Sequence, residues 1–276
     1  MAKAIREIDE KIKLVDLVIV LLDARIPKSS FNPLIKEKLN NKLTLYLLTK
    51  KDMANEEQTK KWIDYYQKNG NRCVAVNSKE TKNAKAVIKV IEEMMAPKRK
   101  KDAMKGLKPR PIRTMVVGIP NVGKSTFINA LVNKRVTNVG DKPGVTKVQQ
   151  WIRIHEQVEL LDTPGVLWPK FEDQKIGFHL AVIGSIKDDI LRIIDIAEYA
   201  VNFIRNTTPN ELINRYNLNE LKEEPMAILH QIGHSQKFYL PNKEVDLNRV
   251  ATLVLQDIRH LALGKITFDL FEDFNE

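Results

Sequence analysis

The sequence predicts an α/β domain on a mostly parallel, doubly wound sheet, followed by an all-helical C-terminal domain. Three observations carry that expectation. Apolar, β-branched runs at residues 15–22, 43–48, 73–76 and 115–117 read as strands buried on both faces, as in a parallel sheet. Helical patterns lie between them: in residues 84–95, Ala84, Val87, Ile88, Ile91 and Met95 share one helical face. Strand–helix alternation of this kind builds a doubly wound sheet. After Lys175 the pattern changes to amphipathic runs at 190–204, 226–232 and 247–263, with breaks at Thr207-Thr208-Pro209 and Gly233. The expected division is 1–174 for the α/β domain and 175–276 for the helical one.

The remaining elements follow in chain order. The first residues, Met-Ala-Lys-Ala-Ile-Arg-Glu-Ile, are charged and helical in pattern, with no signal-peptide core. Residues 98–113 hold eight basic side chains against one acidic, and prolines make their end a poor helix. An exposed linker is expected there, either a solvated charge run or a phosphate contact. Residues 148–154 and 158–161 flank His155-Glu156-Gln157 and read as an antiparallel hairpin.

Charge and composition narrow the function classes. The net charge of +10 is uneven: 34 Lys/Arg against 20 Asp/Glu in residues 1–174, but 11 against 15 in residues 175–276. A basic body suits an acidic partner such as nucleic acid, or it is simply a solubilising surface. No apolar run approaches the roughly 18 residues that span a bilayer, so no membrane partner is expected. Cys73 is the single cysteine, which excludes an internal disulfide and fits a reducing, cytoplasmic setting. Its strand-like surroundings predict a buried, inert thiol.

Residues 118–125, Gly-Ile-Pro-Asn-Val-Gly-Lys-Ser, match G-x-x-x-x-G-K-[ST] between a strand and an amphipathic helix. Such a loop turns backbone N–H groups at Asn121, Val122, Gly123 and onward to Thr126 around phosphates, and the helix N-terminus adds partial positive charge. Lys124 is expected to reach the β/γ-phosphates and the Ser125 hydroxyl to ligate Mg²⁺. Downstream, Leu161-Asp162-Thr163-Pro164-Gly165 is a strand ending in D-x-x-G. Asp162 is expected to hold Mg²⁺ and the Gly165 N–H to sense the γ-phosphate. Between them, Thr146 of Pro143-Gly144-Val145-Thr146 can complete the Mg²⁺ shell.

Thr49-Lys50-Lys51-Asp52 is one residue away from Asn-Lys-x-Asp, a guanine-reading loop. Guanine presents N1–H and an exocyclic amino group as paired donors, and the Asp52 carboxylate can accept both. The Lys50 stem can lie along the base. Asn77-Ser78-Lys79 also follows a strand and can offer backbone donors to the guanine carbonyl. Both loops stand at C-terminal strand ends, where open α/β sheets bind ligands. The five elements therefore run base loop, second base loop, phosphate loop, switch I, switch II. A guanine-nucleotide (G) domain cut after switch II, with its old ends joined, gives that order, and the join falls in the basic 98–113 stretch. The fold expected for the first domain is a circularly permuted P-loop G domain.

The chain resembles the circularly permuted GTPases of ribosome assembly, the YlqF or ribosome biogenesis GTPase A family. The resemblance rests on Asp23-Ala24-Arg25-Ile26-Pro27, Gly118–Thr126 (118–126), Gly140-Asp141-Lys142-Pro143-Gly144-Val145-Thr146 and residues 161–173, with Gly184-Ser185-Ile186-Lys187-Asp188 and Asp257-Ile258-Arg259 farther on. It implies GTP and GDP as ligands and GTP hydrolysis coupled to late maturation of the large (50S) ribosomal subunit. The implied partners are the subunit precursor and its rRNA, and a monomer is expected. It also implies an N-terminal segment ending in Gly-His, which bears the family's proposed catalytic histidine and precedes the match that starts here at Met1. In related GTPases an Asn at position 121 helps hold K⁺; the alternative is that Asn121 merely caps the loop. Thr49 stands where the family has Asn, so weaker guanine affinity is expected. Val166 stands where many small GTPases have the water-orienting Gln, so no catalytic residue is assigned with certainty and turnover alone should be slow. Two other readings stay open: an RNA-binding scaffold with incidental hydrolysis, and a related GTPase acting on another RNA or subunit.

Overall fold

Strand β1 (Leu17–Asp23) is six apolar residues and a terminal aspartate, all seven buried. It lies inside a six-stranded sheet of order β3-β2-β1-β4-β6-β5, with β2 (Leu43–Thr49), β3 (Arg72–Ala75), β4 (Ile112–Gly118), β5 (Trp151–His155) and β6 (Val158–Leu161). The computed structural model describes residues 2–39, 42–132, 151–161, 173–186 and 191–274, and counts here refer to those residues. Within the sheet β1 pairs in parallel with β2 and β4, and so do β2 with β3 and β4 with β6. Only β5 runs antiparallel, against β6. The parallel sheet with an antiparallel edge hairpin is the expected arrangement.

Alternation along β1 sends Val18, Val20 and Leu22 into one apolar cluster. There they meet Ile8 and Ile12 of α1 (Ala2–Ile12), Ile35 and Leu39 of α2 (Pro33–Leu39), and Trp62 and Tyr66 of α3 (Glu56–Lys68). Leu17, Ile19 and Leu21 point to the opposite face and are equally buried. Each such side chain contributes roughly 1.5–3 kcal/mol of transfer free energy. Cys73 belongs to the cluster, and burial pushes its thiol up to about 12, as an inert cysteine requires.

The basic stretch departs from the expected linker. Helix α4 (Thr81–Met104) carries Pro97 and continues through Lys98-Arg99-Lys100-Lys101. Lysine and arginine are good helix formers, and two of these side chains are tethered. Lys98 reaches Asp16 at 2.5 Å, and Arg99 donates to the Gln157 side chain. The irregular, exposed segment is therefore shorter, from the turn after Met104 to Pro111.

By internal contacts the chain divides into Met1–Lys170 with Phe271–Glu276, and Phe171–Leu270. The return of the last residues to the first unit has no counterpart in the sequence reading. Phe271 and Phe274 pack on Trp62 and Tyr65 of α3, while Glu272 accepts from Gln58 and Lys61.

The second unit consists of α6 (Gln174–Val182), α7 (Ile193–Thr207), α8 (Pro209–Tyr216), α9 (Pro225–Ser235) and α10 (Leu247–Arg259). Thr208 interrupts the helices as expected, but Gly233 does not: it lies inside α9. A Cβ there would meet Val245 Cγ1 at 2.2 Å, so this glycine serves close packing rather than a break. The Asp257 carboxylate accepts both forks of Arg215 at 2.8 Å and the Tyr216 hydroxyl at 3.0 Å. Arg259 donates to the carbonyls of Val182 and Ala181, closing the end of α6. His179 is buried between Asp269 and Tyr199, a packing role.

Candidate nucleotide site

Strands β2, β1 and β4 release their loops at the same sheet end. Asp23 at the tip of β1 is in register with Thr49, and Leu21 with Gly118. Gly118 suits that crowding, since a Cβ there would come within 2.8 Å of the Leu21 carbonyl oxygen. The phosphate loop then runs into α5 (Lys124–Val132), whose first turn holds Lys124, Ser125 and Thr126. Their position at the helix N-terminus puts backbone donors and partial positive charge beside the loop. Lys124 Nζ donates to the carbonyl oxygens of Gly118 (3.1 Å) and Ile119 (2.8 Å), so the ammonium lies along the inside of its own loop.

The loop after β2, residues 49–52, which the sequence suggests as the base loop, touches the phosphate loop directly. Fully buried Thr49 places its hydroxyl 2.7 Å from the Val122 carbonyl oxygen and 3.0 Å from that of Leu22. A hydroxyl has one proton, so the shorter contact to Val122 takes the donor. Lys50, in the left-handed region at φ 55°, donates to the Asn121 carbonyl oxygen at 2.7 Å. Asn121 is also left-handed, at φ 56°. Lys51 and half-buried Asp52 follow in a 3-10 turn, Lys51–Met53.

The second base loop lies against the first: the Lys51 N–H donates to the Val76 carbonyl oxygen at 3.4 Å. The Lys79 N–H is bonded to the Asn77 side chain, so that backbone donor is engaged locally. The Ser78 hydroxyl is buried with no partner among the described residues. A buried hydroxyl left unsatisfied costs about 1–3 kcal/mol.

Two residues without an assigned role complete the site. The Asp23 carboxylate is buried and accepts from Arg25 Nε (2.9 Å) and Nη2 (2.8 Å) and from Lys50 Nζ (2.9 Å). Burial would push this carboxyl up, but the charges of Arg25 and Lys50 outweigh it and hold it well below the usual range. Burial pulls the Lys50 ammonium below the ordinary lysine value, against the pull of Asp23. The signal available in the sequence is a charged pair ending an otherwise apolar strand.

The structure thus brings together Thr49, Lys50, Lys51 and Asp52, then Asn77, Ser78 and Lys79, and the loop residues Asn121–Thr126 (121–126) at one sheet end. Of the residues read as Mg²⁺ ligands, Ser125 is placed there. Thr146 and Asp162 lie outside the described residues, as do Gly165 and Val166.

Known proteins resemble this chain along most of its length. A family model described as 50S ribosome-binding GTPase matches residues 113–231, opening on the strand that enters the phosphate loop. "Ribosome biogenesis GTPase A" of Bacillus cereus is 45% identical over 276 residues, covering 100% of this chain and 93% of that protein. The protein of the same name from Priestia megaterium is 46% identical over 270 residues, 98% of this chain and 94% of its own. Among solved structures, GNP-bound YlqF from T. maritima superposes with a TM-score of 0.66 at 25% identity, covering 96% of this chain and 97% of that one.

Proposed function

The chain belongs to the ribosome biogenesis GTPase A family, and from that premise we propose that it is a GTP-driven switch acting in late maturation of the large ribosomal subunit. GTP hydrolysis in ribosome biogenesis is the activity of the family. One observation carries the assignment of the site: a base loop that precedes the phosphate loop in the chain bonds to it in space, through Thr49 to Val122 and Lys50 to Asn121.

Each residue then has a role. Asp52 accepts the paired guanine donors, with Lys50 along the base and 77–79 beside the carbonyl. Lys124 moves from its loop carbonyls to the β/γ-phosphates, and Asn121–Thr126 (121–126) supply backbone donors. Ser125, Thr146 and Asp162 would hold Mg²⁺, which would neutralise developing phosphate charge. The Gly165 N–H would sense the γ-phosphate. Asn121 is the candidate K⁺ ligand, and its carbonyl oxygen accepts from Lys50. With Val166 in the Gln position, the water is oriented by a group supplied elsewhere, and the ribosomal particle stimulates turnover.

Contact with rRNA is assigned to the basic first domain (1–174), because 175–276 is net acidic. No helix among the described residues is long and apolar enough to cross a membrane. A monomer working in the cytoplasm is the reading that fits these assignments.

The test is co-sedimentation with large subunits and their precursors in K⁺/Mg²⁺ buffer. A non-hydrolysable GTP analogue should retain the protein on the particle and GDP should not. Turnover should rise by about 100-fold or more on the particle. Equal retention with both nucleotides, together with unstimulated turnover, would sink the proposal.

A further inference from the structure

The Asp23-Ala24-Arg25-Ile26-Pro27 motif is not used by the roles above, yet it sits at their junction. Strand β1 lies between β2 and β4, so its tip stands between the strands that lead into the base loop and the phosphate loop. There the Asp23 carboxylate accepts from Arg25 Nε and Nη2, from the Arg25 backbone N–H at 3.1 Å, and from Lys50 Nζ. Arg25 is itself only 3% exposed. A guanidinium fork fixes a carboxylate in one plane, whereas a lysine is a point charge on a flexible stem. The fixed partner is Asp23, and the stem it restrains is Lys50. From that position Lys50 Nζ also bonds the Asn121 carbonyl oxygen at 2.7 Å.

We propose that Asp23 and Arg25 are positioning residues, which hold the Lys50 ammonium against the Asn121 carbonyl so that base loop and phosphate loop keep one spacing. The inference rests on the nucleotide-site reading above. Base and phosphates are then bound by a preset pair of loops rather than by two independent ones. A fixed spacing removes ordering cost at the moment of binding.

Binding of a fluorescent GDP to the full chain tests this, with wild type, Lys50→Met, Asp23→Asn and the double variant. Wild-type binding, and its loss in Lys124→Ala, reports on the site itself; absence of either defeats the site reading, and the positioning proposal with it. If Asp23 acts through Lys50, Asp23→Asn weakens GDP binding about 10-fold or more in the wild-type background. In the Lys50→Met background it costs less than about 2-fold. Losses that add in full overturn the proposal while leaving the site in place. Should Asp23→Asn fail to fold, Arg25→Lys gives the same cycle, since it keeps the charge and removes the fork. Non-additivity with Lys50→Met is again expected, and additive losses again overturn the proposal.

Discussion

Strand β1 has an aspartate at each end, and the two do different work. Asp23 closes the strand at the nucleotide end; Asp16 stands just before it at the other. Each gathers two basic side chains. Asp23 holds Arg25 and Lys50, whose side chains are 4% and 24% exposed. Asp16 holds Lys98 and Arg110, at 49% and 55%. The first cluster is withdrawn from water and lies between two ligand loops. The second is half in solvent and ties together the end of α4 and the approach to β4. A buried, multiply bonded charge cluster constrains geometry, while a wet one latches a chain segment at modest gain.

The comparison breaks if the two aspartates behave alike. Asp23→Asn should reduce GDP affinity by about 10-fold or more, and Asp16→Asn should leave it within about 2-fold. Asp16→Asn should instead lower unfolding stability by about 1–2 kcal/mol, read from the denaturant midpoint. Burial raises the Asp16 carboxyl, but its bonds to Arg110, Lys98 and the Arg113 N–H win and hold it at about 2. Its contribution is therefore complete above the unfolded value near pH 4 and is lost as pH falls towards 2. The Asn variant should lack that part of the acid destabilisation; an unchanged profile between pH 4 and 2 would show that Asp16 is not its source.

A smaller effect concerns Thr49. Its hydroxyl is committed to Val122, leaving no proton for purine N7. An Asn amide has two donors, one for each acceptor. Thr49→Asn should bind GDP about 2–5-fold more tightly, a few tenths to 1 kcal/mol for one added hydrogen bond. Unchanged or weaker binding would show that the buried position refuses the amide.

Local chemistry was the legible part. The apolar runs gave β1 to β4, the glycine–lysine pattern gave the phosphate loop, and the near match at 49–52 pointed to the permuted order. What stayed hidden depends on partners distant in sequence. Lys98-Arg99-Lys100-Lys101 reads as part of an exposed linker because nothing nearby announces Asp16 and Gln157. Gly233 reads as a break because Val245, which requires its missing Cβ, lies on another segment. Phe271 and Phe274 end a helical domain in sequence but pack on Trp62 of the first unit. Asp23 and Arg25 were visible as a motif, yet their meeting with Lys50 is made only by strand pairing.

The central claim is that residues 49–52 read guanine beside the phosphate loop despite their early place in the chain. Asp52→Asn tests it most directly. A carboxamide in place of the carboxylate cannot accept both guanine donors, but it can pair with xanthine, which carries a carbonyl in place of the amino group. The variant should lose GDP binding and gain xanthosine diphosphate binding, reversing the wild-type preference. GDP binding that survives unchanged, with no gain for xanthosine diphosphate, would contradict the claim.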